Sequence, residues 1–221
     1  MDAATEPSPP MAVRIASSSG AVRVYAEDRP DVHVDGSATT TEDGHTVTVE
    51  ASSGRVTVRV PLGADLVVGA ESGSVKVSGP VGHVAVTCRS GRVIVHDVES
   101  TDIRAESGRV EVRGCRDECR VRDETGRVTV TDCGSADVVT RSGRITVAGV
   151  RGDVRAHCVS GRVAVDLDQA ANVDAETVSG RIEVRYPPGV TARRADDPEL
   201  VDGDCVVNAR AVSGRVTVGT R

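Results

Sequence analysis

Ser107-Gly108-Arg109-Val110-Glu111-Val112 is one copy of a word, Ser-Gly-Arg-Val-x-Val, that recurs almost to the end of the chain. Its turn glycines are Gly20, Gly54, Gly73, Gly91, Gly108, Gly126, Gly143, Gly161, Gly180 and Gly214, separated by 34, 19, 18, 17, 18, 17, 18, 19 and 34 residues. Seven consecutive gaps within one residue of 18 mark a stacked repeat whose units touch mainly their neighbours. The two gaps of 34 predict atypical units at both ends, as the ends of a stack require.

Aligned on the glycine, the second and fourth residues that follow are apolar in every regular repeat. They are Val56/Val58, Val75/Val77, Val93/Val95, Val110/Val112, Val128/Val130, Ile145/Val147, Val163/Val165 and Ile182/Val184. Period-two alternation predicts a strand with one face inward. A small or apolar residue follows about seven places after the glycine: Pro61, Pro80, Val98, Cys115, Cys133 and Val150. A second alternating piece then leads to the next word, as in Val84/Val86, Ile103/Ala105 and Val154/Ala156. Each repeat therefore holds two or three short strands, and stacking places equivalent residues ~4.8 Å apart in parallel, in-register ladders. The glycine supplies a strained corner, and the preceding serine can hydrogen-bond that turn.

The expected fold is all-β: a single-domain parallel β-solenoid with coils of about 17–19 residues and irregular capping coils at both ends. Right-handed winding is favoured because the six-residue repeat of left-handed hexapeptide coils is missing. Residues 1–11 read as a disordered tail. Residues 12–53 form an irregular N-terminal coil, 54–185 the regular coils, and 186–221 a capping loop with the last strands. The polar excursion from Glu27 to His45 predicts a hairpin or distorted coil. The Pro- and Asp-rich stretch from Tyr186 to Asp204 is expected to fold over the last coil and shield its edge.

Composition agrees. Among 221 residues there are 43 valines, two tyrosines and neither Phe nor Trp, which suits a narrow sheet-lined core, and the scarcity of Leu argues against a helical one. The net charge of -6 argues against a general polyanion binder. Met1 to Pro10 lacks the apolar run of a secretory signal, and no stretch approaches a membrane-spanning length. The expected location is the cytoplasm. Six cysteines in so long a chain do not suggest a disulfide scaffold.

The Ser-Gly words, Val58-Arg-Val-Pro61 and Val184-Arg-Tyr-Pro-Pro-Gly189 together resemble the bacterial β-strand-repeat family labelled as adhesins, itself a domain of unknown function. The resemblance spans roughly residues 12–219. It implies a β-solenoid or β-roll and a role at the cell envelope, with no catalytic residues to carry over. Many relatives carry Asp after Ser-Gly, where this chain has Arg.

That arginine is the sharpest candidate site: Arg55, Arg92, Arg109, Arg127, Arg144, Arg162, Arg181 and Arg215 each precede an inward residue and should face solvent. The functional reading is an anionic ligand (nucleic acid, polyphosphate or acidic glycan) laid along the column. The bland reading is a solvated face that blocks lateral sheet pairing, and no aromatics interleave to stack bases. Glu71, Glu106 and Glu124, two places before the glycine, are positioned to neutralise some neighbours, whereas Arg89 and Arg141 double the charge.

Other candidates are weaker. Cys88, Cys115, Cys119, Cys133 and Cys158 read as small core residues. Cys115 and Cys133 lie one coil apart, within reach of a disulfide, but with Cys119 they lack a fourth zinc ligand. His33, His45, His83, His96 and His157 share no column. Asp97, Asp117, Asp123 and Asp132 read as scattered surface acids with no positioned base. Thr57, Thr129, Thr146 and Thr217 share a column that Lys76, Ile94, Glu111 and Glu183 interrupt. No catalytic residue, cofactor or metal is expected. The expected function is a non-catalytic scaffold presenting repetitive faces to a protein partner or, by end stacking, to itself. The alternative is an anion- or glycan-binding module; a polysaccharide-acting enzyme is the remotest reading.

Overall fold

Alternation in the sequence becomes extended backbone almost everywhere. The computed structural model describes residues 11–193 and 205–220, and these form ten strands and no helix. The tail expected at residues 1–11 lies outside the described residues except for Met11, which packs half-buried against the core. The Met11 carbonyl accepts a hydrogen bond from the Asp65 N–H at 3.0 Å. Of the loop expected to shield the last coil, residues 194–204 lie outside the described part.

The strands are β1 (Ala12–Glu27), β2 (His33–Asp35), β3 (Thr39–Asp43), β4 (Thr46–Ala51), β5 (Arg55–Pro61), β6 (Asp65–Val150), β7 (Val154–Leu167), β8 (Val173–Tyr186), β9 (Ala192–Arg193) and β10 (Cys205–Thr220). They join in one large sheet in the order β2-β5-β1-β6-β7-β8-β10-β9, with β4 also beside β1 and β3 beside β4. β6 alone runs 86 residues through five words, bending at each glycine without leaving the strand network.

Successive words pair in parallel and in register. Gly143 faces Gly161, Gly161 faces Gly180, and Gly180 faces Gly214. Within β6, a Cβ added at Gly91, Gly108, Gly126 or Gly143 would collide with the carbonyl oxygen of the glycine one repeat earlier. The word therefore needs glycine for two reasons: most of these corners have positive φ, such as 129° at Gly108, and there is no room above them.

The inward residues form one continuous core. Val110, Val112, Val128, Val130, Ile145 and Val147 are all 0–1% exposed. A fully buried valine contributes about 1.5–3 kcal/mol, and stacked columns let narrow side chains bury themselves without any aromatic. Val216 and Val218, in the last word, are 39% and 41% exposed because no described strand lies beyond them. A rare buried hydroxyl, Thr101, is satisfied by donating to the Val84 carbonyl at 2.9 Å.

The stacking order departs from chain order at the N-terminal end. β1 lies between β5 and β6: Ala21 faces Arg55 on one side and Ser74 on the other. The chain thus begins one layer in, passes outward to lay down β4 and β5, then crosses back to start β6. The first gap of 34 residues contains the material that closes this end. β3 pairs antiparallel with β4, as the expected hairpin, and β2 pairs antiparallel with β5. Arg59 of β5 binds Asp35 of β2 and Glu27 of β1, tying the three together.

Candidate anion-binding groove

Each column arginine sits between the turn glycine and an inward apolar residue, so alternation turns its side chain outward. Arg92, Arg109, Arg127, Arg144, Arg162, Arg181 and Arg215 are all exposed. Stacked in register, they follow one another without interruption. Arg55 does not join them. The reversal of layers places Ala21 and Ser74 between it and Arg92, so the column read from the sequence divides into a run of seven and one outlier.

The seven arginines line a groove of about 1370 Å³ floored by the glycines from Gly73 to Gly214. The glycine column floors the groove, so no side chain rises from any of these corners. None of the seven forms an ion pair among the described residues; outside the row arginines divide, with Arg29, Arg59, Arg89, Arg104, Arg113, Arg120, Arg122 and Arg185 paired and others such as Arg55 and Arg141 not. The expected neutralisation by Glu106 goes elsewhere, to Arg89 at 3.7 Å. Unit charges ~5 Å apart in water repel by about 1 kcal/mol, so the row is self-repelling in the empty protein.

The remaining candidates are dispersed by the structure. Asp97 and Asp132 are corner residues with φ of 59° and 57°, a left-handed conformation that Asp tolerates better than most. Asp117 is exposed. Asp123, expected at the surface, is 6% exposed. It stands three places before its turn glycine, where the other repeats carry small inward residues such as Ala70, Cys88, Ala105 and Thr140. Both carboxylate oxygens lack a hydrogen-bond partner among the described residues, and burial, with the nearby Glu124 charge, pushes its pKa up to about 6. This column floors a second groove of about 1000 Å³, rimmed by Arg89, Arg104, Arg122, Glu106 and Glu124.

All six cysteines are buried free thiols. Contact with Cys133, then burial, pushes the Cys115 thiol up. At Cys133 the Cys115 hydrogen bond pulls down, but the Cys119 hydrogen bond and burial outweigh it and raise the thiol to about 12. Among the described residues no three His, Cys, Asp or Glu side chains are grouped to hold a metal ion. His157 lies 3.6 Å from Asp174 and 3.5 Å from Glu176, and His83 Nδ1 lies 2.9 Å from Ser100 Oγ. These contacts are separate and surround no common cleft.

Sequence reading missed two features. One is the buried site of Asp123; the other is a second left-handed corner six residues after the turn glycine, where Gly79, Asp97, Gly114, Asp132 and Gly149 alternate. That alternation was visible in the sequence as a signal in its own right.

No curated protein and no solved structure matches the chain. A family model does, over residues 13–218, a span that takes in every copy of the word and the whole arginine row. With nearly its full length accounted for, the chain belongs to the Toastrack DUF4097 family, a domain of unknown function.

Proposed function

We propose that the chain is a non-catalytic scaffold, wound as a parallel β-solenoid, that binds an anionic polymer along its glycine-floored arginine row. Parallel, in-register pairing of repeats about 18 residues apart supports the winding, and the lack of a six-residue repeat favours a right-handed one. One observation carries the binding reading: seven successive arginines line a single groove, and none is ion-paired among the described residues. Arginine presents a planar fork of donors suited to phosphate, sulfate or carboxylate oxygens. A bound polyanion would remove the mutual repulsion of the row, so the groove binds charge at the place where the empty protein is least comfortable. Because the whole chain carries -6, attraction must come from this row and not from the general surface.

The test replaces Arg92, Arg109, Arg127 and Arg144 together by Ser and follows retention on a sulfonated cation-exchange column in a salt gradient. Serine already stands at this place in Ser74, so the backbone tolerates it. Earlier elution of the variant supports the reading, and unchanged elution sinks it.

A second reading, docking of a protein partner, has its own observation. Val159, Val178 and Val212 occupy the same place in successive words and are 51%, 50% and 84% exposed, where earlier words carry Ser, Glu or Arg. Stacked exposed valines form an apolar ridge of the kind found at interaction surfaces. Substituting Val178 by Lys and measuring sedimentation over a range of concentrations tests whether that partner is a second copy.

A further inference from the structure

Resting on that reading, we infer that the polymer fitting the arginine row is a single, ring-free chain charged at every unit: an inorganic polyphosphate. Three properties of the groove select it.

The first is form. Eight stacked glycines at ~4.8 Å give an open groove about 34 Å long whose floor is a single glycine wide. That floor runs as one track, which an extended chain follows in single file.

The second is the lining. It consists of glycine backbone, arginine and one serine, Ser74. The two tyrosines of the chain, Tyr25 and Tyr186, are not part of it. Sequence-tolerant recognition of single-stranded nucleic acid relies on aromatic platforms for the bases, and sugar rings are likewise held through their apolar faces. A groove with no flat apolar surface recognises a chain that has no rings to stack.

The third is the donor set. The glycine carbonyls point along the stack, as the added-Cβ collisions show. At the outer layer, the N–H after the glycine is spent on the glycine carbonyl of the next layer, Ala21 to Gly54 at 2.8 Å. The floor therefore repeats a spent backbone, and recognition falls to guanidinium groups alone. Seven of them span about 29 Å at the coil spacing. Such a row rewards a ligand that offers anionic oxygens at every step, and rewards much less one whose charges are spaced by neutral groups. Orthophosphate could engage only one or two arginines and would not gain from the row.

The experiment measures binding of the full chain to inorganic polyphosphate of a few tens of units by titration calorimetry. Dextran sulfate, an oligothymidine of similar contour length and orthophosphate are run in parallel. The expected result is saturable polyphosphate binding at least tenfold tighter than the oligonucleotide, with no measurable orthophosphate binding. The Arg109→Ser, Arg144→Ser double variant should lower affinity at least tenfold and flatten the slope of log K against log salt by about 1.4, by analogy with single-stranded phosphate chains. If dextran sulfate or the oligonucleotide binds in an arginine-dependent way and polyphosphate does not, the polyphosphate inference falls and the anion-groove reading stands. If none of the polymers binds, both fall. Polyphosphate binding that is indifferent to the double variant also overturns the inference, because it would come from another surface.

Discussion

The carboxylate Oδ1 of Asp97 lies 2.8 Å from the point where a Cβ would stand on Gly114, one repeat further on. The same relation holds between Asp132 Oδ1 and Gly149, again at 2.8 Å. At this left-handed corner the residue types alternate so that each aspartate leans over a glycine. Gly114→Ala should destabilise the protein by about 1–2 kcal/mol, from the left-handed backbone and from crowding against Asp97. In an Asp97→Gly background the crowding disappears and only the backbone cost remains, so the two changes should be non-additive in urea unfolding. Strict additivity would mean that the corner is not built on this contact.

The reversed layer order makes a sharper prediction about two glycines that look equivalent in the sequence. A Cβ on Gly20 would strike the Gly54 carbonyl, while one on Gly54 meets nothing within 4 Å. Gly20→Ala should therefore cost several kcal/mol or abolish folding, since backbone on the neighbouring layer cannot yield. Gly54→Ala should cost only about 1 kcal/mol, for its φ of 94°. Thermal unfolding of the two variants distinguishes this order from simple sequential stacking, in which Gly54 would be the enclosed one.

What the sequence reveals here is whatever the repeat dictates. Period-two valines and evenly spaced glycines specify strands, inward faces and parallel register, because one rule governs every copy. Layer order at the N-terminus is different. Whether β1 or β5 lies outermost depends on the 27–45 excursion, whose antiparallel partners must lie on the outside, and no local pattern encodes that. Arg55 stands apart from its column for this reason alone. Asp123 departs from expectation for another: a charged residue invites a surface assignment. Yet Cys88 and Cys158 at the same place in the word already marked it as inward.

Asp123 should leave a pH signature. Its ionised form is disfavoured in the folded protein, with a pKa near 6 against about 3.9 unfolded. The folded state then holds a proton that the unfolded state has lost, so stability from this group is full below pH 4 and declines as pH rises to 6. The loss is about 3 kcal/mol, and Asp123→Ala, matching Ala105 below it, should remove the decline and be the more stable protein at pH 7. Chemical denaturation of both proteins at pH 4, 5, 6 and 7 checks this. Parallel pH curves for the two would refute it.

The cysteines should be silent. Cys115 and Cys133 are 0% exposed; Cys133 and burial hold the Cys115 thiol protonated, and Cys119 and burial do the same for Cys133. Thiolate is the reactive form, so native protein should resist iodoacetamide for as long as it stays folded. All six should react in urea. Rapid native labelling of Cys115 or Cys133 would show that this part of the core opens readily.

The arginine row should cost the empty protein stability. Arg127 is flanked by Arg109 and Arg144 at the coil spacing, and each neighbour repels it by up to about 1 kcal/mol when unscreened. Side chains that splay outward relieve part of this. Arg127→Ser should consequently stabilise the protein by about 1 kcal/mol at low ionic strength. In 1 M salt, where screening acts within about 3 Å, the gain should vanish. Arg55→Ser, set apart behind Ala21 and Ser74, should show no such salt-dependent gain. Urea unfolding at both salt concentrations measures the difference. If Arg127→Ser is destabilising at low salt, the arginines stabilise the corner, and the row needs no ligand to account for it. If the gain appears and disappears as stated, the row is a structural liability, and ligand binding is the physical reason left for keeping seven like charges in line.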